Sequence, residues 1–171
     1  EKVPGTIVKE ENTVEKMLIR GIARDNDVAR IALVNIDDKP GKAFQIFSIL
    51  AKKKINVDVI LQSIGRDGSK DISFTVSQGD LEAALNIINE NNAIIGCEKV
   101  LHDESVSKVS VVGAGMTSNP GVAATMFEAL YDAGINIQMI STSEIKISVL
   151  IDQKDADKAV AAVHEAFFGN D

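Results

Sequence analysis

Little in this chain is reactive. It has a single cysteine, Cys97, which excludes an internal disulfide and cannot form a thiolate metal cage. A small buried apolar side chain in a reducing cytoplasm is the expectation for it. There is no run of lysine or arginine and the formal net charge is −7, which argues against a general binder of phosphate backbones. No apolar run reaches the ~18 residues of a membrane span, and the start, Glu1-Lys2-Val3-Pro4, has no signal-peptide pattern; a soluble, cytoplasmic protein is expected. His102 and His164 lie apart with no ligand cluster beside them, so neither a metal nor another cofactor is expected. Ser110, Ser141 and Ser143 lack a histidine and acid partnership, and no catalytic residue is assigned. Val112-Gly113-Ala114-Gly115-Met116 follows a strand pattern but lacks the third glycine and the later acidic residue of a dinucleotide fingerprint.

What is present is a repeat. Lys39-Pro40-Gly41, leading to Lys54-Ile55-Asn56-Val57-Asp58, returns about eighty residues later as Asn119-Pro120-Gly121 and Gly134-Ile135-Asn136-Ile137-Gln138. Asp71-Ile72-Ser73-Phe74-Thr75-Val76 then matches Lys146-Ile147-Ser148-Val149-Leu150-Ile151, with Asp80 and Asp155 following. With 171 residues and 45% apolar content, the chain can bury two small cores. Modules of roughly 70 to 80 residues are marginal alone, so mutual support or an oligomer is expected.

In the first copy, β-branched residues at 28–36 read as a strand stopped by Asp37-Asp38-Lys39-Pro40-Gly41. Ala43, Phe44, Ile46, Phe47, Leu50 and Ala51 recur at helical spacing, which predicts a helix over 42–53. Strands at 56–63 and 70–77 flank a turn containing Asp67-Gly68. A second helix follows Asp80, read as its N-cap, and a strand at 93–101 closes the unit. The order is βαββαβ, an α+β ferredoxin-like unit: an antiparallel four-stranded sheet with both helices on one face. The second copy predicts strands at 108–113, 136–142 and 145–151 and helices at 122–132 and 156–168. It lacks a fourth strand, and an open sheet edge is an aggregation liability. Residues 17–24 alternate like a strand, so they are expected to complete that sheet. The first module is then residues 26–103, inserted in a second made of 17–25 and 104–171.

Taken together, Asp38-Lys39-Pro40-Gly41, Ile55-Asn56-Val57-Asp58 with Gln62, Val112-Gly113-Ala114-Gly115-Met116, Asn119-Pro120-Gly121-Val122 and Ile140-Ser141-Thr142-Ser143-Glu144-Ile145 resemble the tandem ACT modules of aspartate kinases. The resemblance runs from about residue 5 to 168. It implies two ACT modules, residues 1–16 as a linker from a kinase domain, and an allosteric receptor for threonine, lysine or both, acting in feedback inhibition. It also implies a homodimer through the modules and a partnered or attached catalytic domain or alpha subunit. The chain begins at Glu1 rather than Met, and either a cut fragment or a small subunit is expected. An enzyme of ferredoxin-like fold and a purely structural dimerisation module are the alternatives.

A free amino acid carries a carboxylate and an ammonium, so its site needs NH donors and an acceptor pair. After Asp38, Lys39 and Pro40, the amides of Gly41, Lys42 and Ala43 open a helix, where unpaired NH groups and the dipole favour an anion. Asp38 and Asp58 are the carboxylates for the ammonium; without the resemblance they also read as a turn former and a solvated strand end. Asn56 and Val57 adjoin Asp58. Gln62, placed on the face of Asp58 by strand alternation, can serve a hydroxyl or an amide. In copy two Ser118, Val122, Gln138 and Thr142 stand for Asp38, Lys42, Asp58 and Gln62, which reads as a division of labour. The resemblance adds Asn136, Ile137, Ser141, Thr142, Ser143 and Glu144 as groups that face the ligand or line the dimer contact. Glu144 reads either as a holder of a lysine ε-ammonium or as a charge at a hairpin tip.

Overall fold

Strand alternation builds the first sheet. In the computed structural model, which describes residues 19–169, β2 (Ala29–Asp37) turns Ala29, Ile31 and Leu33 to one face, all fully buried. Its antiparallel neighbour β4 (Ser69–Val76) turns Ile72, Phe74 and Val76 to the same face. Two amphipathic helices cover it: α1 (Lys42–Lys52) through Ile46 and Leu50, and α2 (Leu81–Glu90) through Leu81, Ala84, Ile87 and Ile88. Phe47 of α1 meets the Phe74 ring edge-on at 5.4 Å. β3 (Ile60–Gln62) and β5 (Lys99–Asp103) finish the order β3-β4-β2-β5.

The second sheet has the order β1-β6-β8-β7, from β1 (Ile19–Asp25), β6 (Val106–Gly113), β7 (Met139–Thr142) and β8 (Lys146–Asp152). Val109, Val111, Ile147, Val149 and Ile151 pack under α4 (Pro120–Asp132) and α5 (Ala156–Phe168) with Met126, Leu130, Ala159 and Val163. β1 lies antiparallel to β6, at the edge that β5 holds in the first sheet. Arg24 on β1 forms an ion pair with Asp157 in the first turn of α5. Two compact units result among the described residues, 27–106 and 19–26 with 107–169. Each is an α+β unit with a four-stranded antiparallel sheet and helices on one face, the ferredoxin-like arrangement. The expected linker at 1–16, the start of the strand at 17–24 and residues 170–171 lie outside the described residues. No helix among the described residues is long and apolar enough to cross a membrane.

Two local expectations are corrected. Residues 93–101 are not one strand: α3 (Asn92–Ile95) comes first, stopped by Gly96 at φ +72°, and β5 begins at Lys99. Ile95 is fully buried there, so its β-branched side chain serves the core from a helical turn. Asp80 is the N-cap residue of α2 as expected, although its side chain makes no capping bond there and a 3₁₀ turn, Gln78–Asp80, leads into the helix. The strands expected from residues 56 and 136 begin only at Ile60 and Met139, for a reason that bears on the site.

Candidate functional site

The loop between β2 and α1 is shaped by one glycine. Gly41 has φ +91°, a left-handed conformation that a side chain would strain, and it lets the chain turn at once into α1. The Gln45 amide bonds back to the Gly41 carbonyl at 2.9 Å, while the Lys42 amide reaches the Lys39 carbonyl only at 3.5 Å. Among the described residues, the amides of Gly41 and Ala43 have no hydrogen-bond acceptor. These NH groups and the helix dipole make the end of α1 attractive to a carboxylate. Lys39 pairs with Asp37 at 3.5 Å, both well exposed, an arrangement that solvent screens. Pro40 is also exposed.

Lys42 has a different task from the one its position suggests. Its Nζ donates to the carbonyls of Ile94 at 2.9 Å and Ile95 at 3.2 Å, so the side chain closes the end of α3. Only its amide stays with the loop.

Asp38 does not stand open. Its amide donates to the Gly68 carbonyl at 2.9 Å, and its Oδ1 lies 3.2 Å from Lys70 Nζ. Its Oδ2 sits over Gly65, where an added Cβ would come within 1.9 Å. A side chain at Gly65 would therefore push the Asp38 carboxylate aside. Lys70 borders an open recess of about 480 Å³ lined also by Ser63, Ile64, Arg66, Ser69 and Asp71. Nothing in the sequence alone pointed to Lys70 or Gly65, since the pair spans a hairpin that positions it only after folding.

Asp58 sits on a β-bulge. Its amide donates to the Thr75 carbonyl at 3.1 Å, the Thr75 amide donates to the Val59 carbonyl at 3.0 Å, and the Val59 amide is drawn to Thr75 Oγ1 at 3.0 Å. Asp58 and Val59 therefore both oppose Thr75, before regular pairing resumes at Ile60 with Phe74 and Gln62 with Ile72. Alternation is broken at this step, so placing Gln62 on the face of Asp58 by counting does not hold. Val57 packs against the core, whereas Asn56, Asp58 and Gln62 are exposed.

The second unit repeats the bulge and changes its chemistry. The Gln138 amide donates to the Leu150 carbonyl at 2.8 Å while Met139 also pairs with Leu150. Gln138 Nε2 donates to Asp152 Oδ1 at 2.8 Å, and its Oε1 is buried with no partner among the described residues. Ser118 Oγ, in place of the Asp38 carboxylate, donates to the Gly115 carbonyl at 3.0 Å. Ile137 leans on the core and Asn136 is exposed. Ser141 and Thr142 end β7, and Ser143 holds the turn by accepting the amides of Ile145 and Lys146 at its Oγ. The Glu144 carbonyl accepts the Met116 amide at 2.9 Å, and the residue is exposed.

Cys97 is buried and its thiol donates to Asn92 Oδ1 at 3.2 Å. Burial pushes its pKa upward, which leaves little thiolate at neutral pH.

Comparison with known proteins places these loops in context. The ACT domain profile matches residues 31–91 and 109–167. The chain is similar to a chain in the crystal structure of aspartokinase alpha and beta subunits, 48% identical with a TM-score of 0.81, over 87% of this chain and 98% of that one. It is also similar to the ligand-free regulatory subunit of aspartate kinase from Thermus thermophilus, 40% identical with a TM-score of 0.84, over 88% of this chain and 99% of that one. An aspartokinase of Mycolicibacterium smegmatis is 46% identical over 169 residues, which is 96% of this chain and 40% of that protein. The chain thus spans about two-fifths of the curated relatives it matches.

Proposed function

Because the chain belongs to the ACT domain family, as a tandem pair of the aspartokinase regulatory type, we propose that it senses threonine, lysine or both and conveys feedback inhibition to an aspartate kinase catalytic domain or alpha subunit. The observation that supports this most is end-to-end similarity to a chain that is itself a regulatory subunit, 99% of which is covered. On this reading the α1 amides take the effector carboxylate, Asp58 and Asp38 take its ammonium, and Gln62 serves a threonine hydroxyl. Glu144 holds the far ammonium of lysine. The protein works in the cytoplasm as a homodimer through its ACT modules.

Regulation then requires that the effector prefer one arrangement of the assembly over another, because equal affinity for both shifts nothing. A coupling of ~1–3 kcal/mol gives a ~5- to 150-fold response. Calorimetry of the whole chain against the protein amino acids tests the reading: threonine or lysine should bind and the rest should not. Absence of any amino-acid binding would leave the structural dimerisation role in its place.

A further inference from the structure

One of the two carboxylates assigned to the ligand already has a cation. Lys70 Nζ is 3.2 Å from Asp38 Oδ1, and the Lys70 side chain is only 12% exposed while that of Asp38 is 43% exposed. The lysine is held mostly under cover, and it presents its charge to a carboxylate that faces outward. β-pairing fixes this placement, since Asp37 opposite Ser69 and Ile36 opposite Lys70 bring the start of the loop beside the base of the hairpin.

The internal repeat lacks both members of the pair. Where copy two has Ser118 for Asp38, it has Ile145 for Lys70, by the same alignment that matches Asp71 with Lys146. Ser118 satisfies itself on Gly115 and Ile145 is 59% exposed, so neither residue keeps a trace of an ion pair.

We infer that Lys70 is a built-in competitor for the effector's ammonium at Asp38, and so sets the affinity of the first module's site. The inference rests on the functional reading above, in which Asp38 receives that ammonium. Two cations cannot both neutralise one carboxylate at close range without repelling each other. An arriving α-ammonium therefore displaces Lys70, and the recess beside it, which Arg66 and Asp71 also border, gives the released side chain room. The binding-competent form is then only part of the population, and apparent affinity falls by that fraction. For a partly exposed ion pair, the fraction corresponds to roughly a 2- to 5-fold weakening.

The test is calorimetry of the whole chain, wild type against Lys70→Met and Lys70→Arg, with threonine, lysine and 2,3-dihydroxybutanoate, which keeps the threonine skeleton but has a hydroxyl for the ammonium. Lys70→Met should bind threonine or lysine about 2- to 5-fold more tightly, by the same population argument. Lys70→Arg should match wild type, and the hydroxy acid should gain nothing from either change. If Lys70→Met does not fold, Lys70→Gln removes the charge and serves instead. Weaker amino-acid binding in the neutral variant, which would make Lys70 a ligand contact, overturns the inference, as does unchanged binding. In both cases the sensing role survives, whereas failure of every protein to bind any amino acid removes the sensing role and this inference together.

Discussion

The two units secure the same loop by different means. In the second, backbone bonds hold it to the hairpin: the Gly113 amide to the Ile145 carbonyl at 2.8 Å and the Met116 amide to the Glu144 carbonyl at 2.9 Å. In the first, one backbone bond from Asp38 to Gly68 is joined by the Asp38–Lys70 pair and the close seat over Gly65. The connections differ accordingly, since residues 63–68 join β3 to β4 but only 143–145 join β7 to β8. Backbone bonds tolerate almost any side chain, while an ion pair can be exchanged for a ligand. The longer, charge-bearing hairpin is thus the adaptable one and the short hairpin a fixed frame. Not every contrast concerns recognition: Lys42 against Val122 reflects α3, whose carbonyl ends the lysine caps in the first unit.

The sharpest way to separate the units is through their cores. Phe74 is fully buried against Phe47, and its counterpart in copy two is the smaller Val149. Phe74→Ala should cost ~3–5 kcal/mol, and Val149→Ala distinctly less, because fewer buried atoms are lost. Urea denaturation of each variant measures this, and equal losses would show that the two positions are not packed as described. Next in size is the loss of a recognition charge. Asp58→Ala should weaken threonine binding by roughly 2–5 kcal/mol, the scale for removing one partner of a desolvated charge pair, with the fold intact. Gln138→Ala, at the matching bulge, should leave threonine binding close to wild type. Unchanged affinity in Asp58→Ala would take Asp58 out of the site.

Much of this was legible in the residues. The Pro-Gly loops, the 3.6-residue apolar period of α1 and the alternation of β4 are local signals, and each placed its element within a residue or two. What stayed hidden depends on partners distant in sequence. The bulge at Asp58 arises because Thr75 Oγ1 captures the Val59 amide, a competition that a strand period cannot express. Asp38 read as an open carboxylate because Lys70 lies beyond a hairpin, and the hold of the Lys42 side chain on Ile94 and Ile95 was hidden because those two residues read as strand. The exposed Asn56 and half-buried Val57 show the same limit, since which way each faces follows from the irregular ladder and not from counting.

A smaller perturbation probes how tightly the first loop depends on its side chains. In Gly65→Ala the new Cβ would meet the mobile end of Asp38, so the carboxylate must turn away from Lys70. That rotation should cost ~0.5–1.5 kcal/mol of stability, the scale of an off-rotamer side chain. Combining it with Asp38→Ala should abolish the cost, because the clashing atoms are gone, and a double-mutant cycle by thermal denaturation reads the coupling. Additive losses would mean that Gly65 matters for some reason other than Asp38.

The gentlest test falls on the fixed frame. Glu144 contributes its carbonyl to the Met116 amide, a bond that survives any change of side chain, so Glu144→Gln should leave the second unit's stability unaltered. The exposed carboxylate is then the only thing removed. If it holds the ε-ammonium of lysine, the substitution should weaken lysine by about 1 kcal/mol or less, as for an exposed ion pair, and spare threonine, which has no second ammonium. Parallel titrations of the two amino acids into wild type and variant decide the matter. Equal weakening of both ligands would point to a change in the frame itself, and no change in either would return Glu144 to a solvated charge at a hairpin tip.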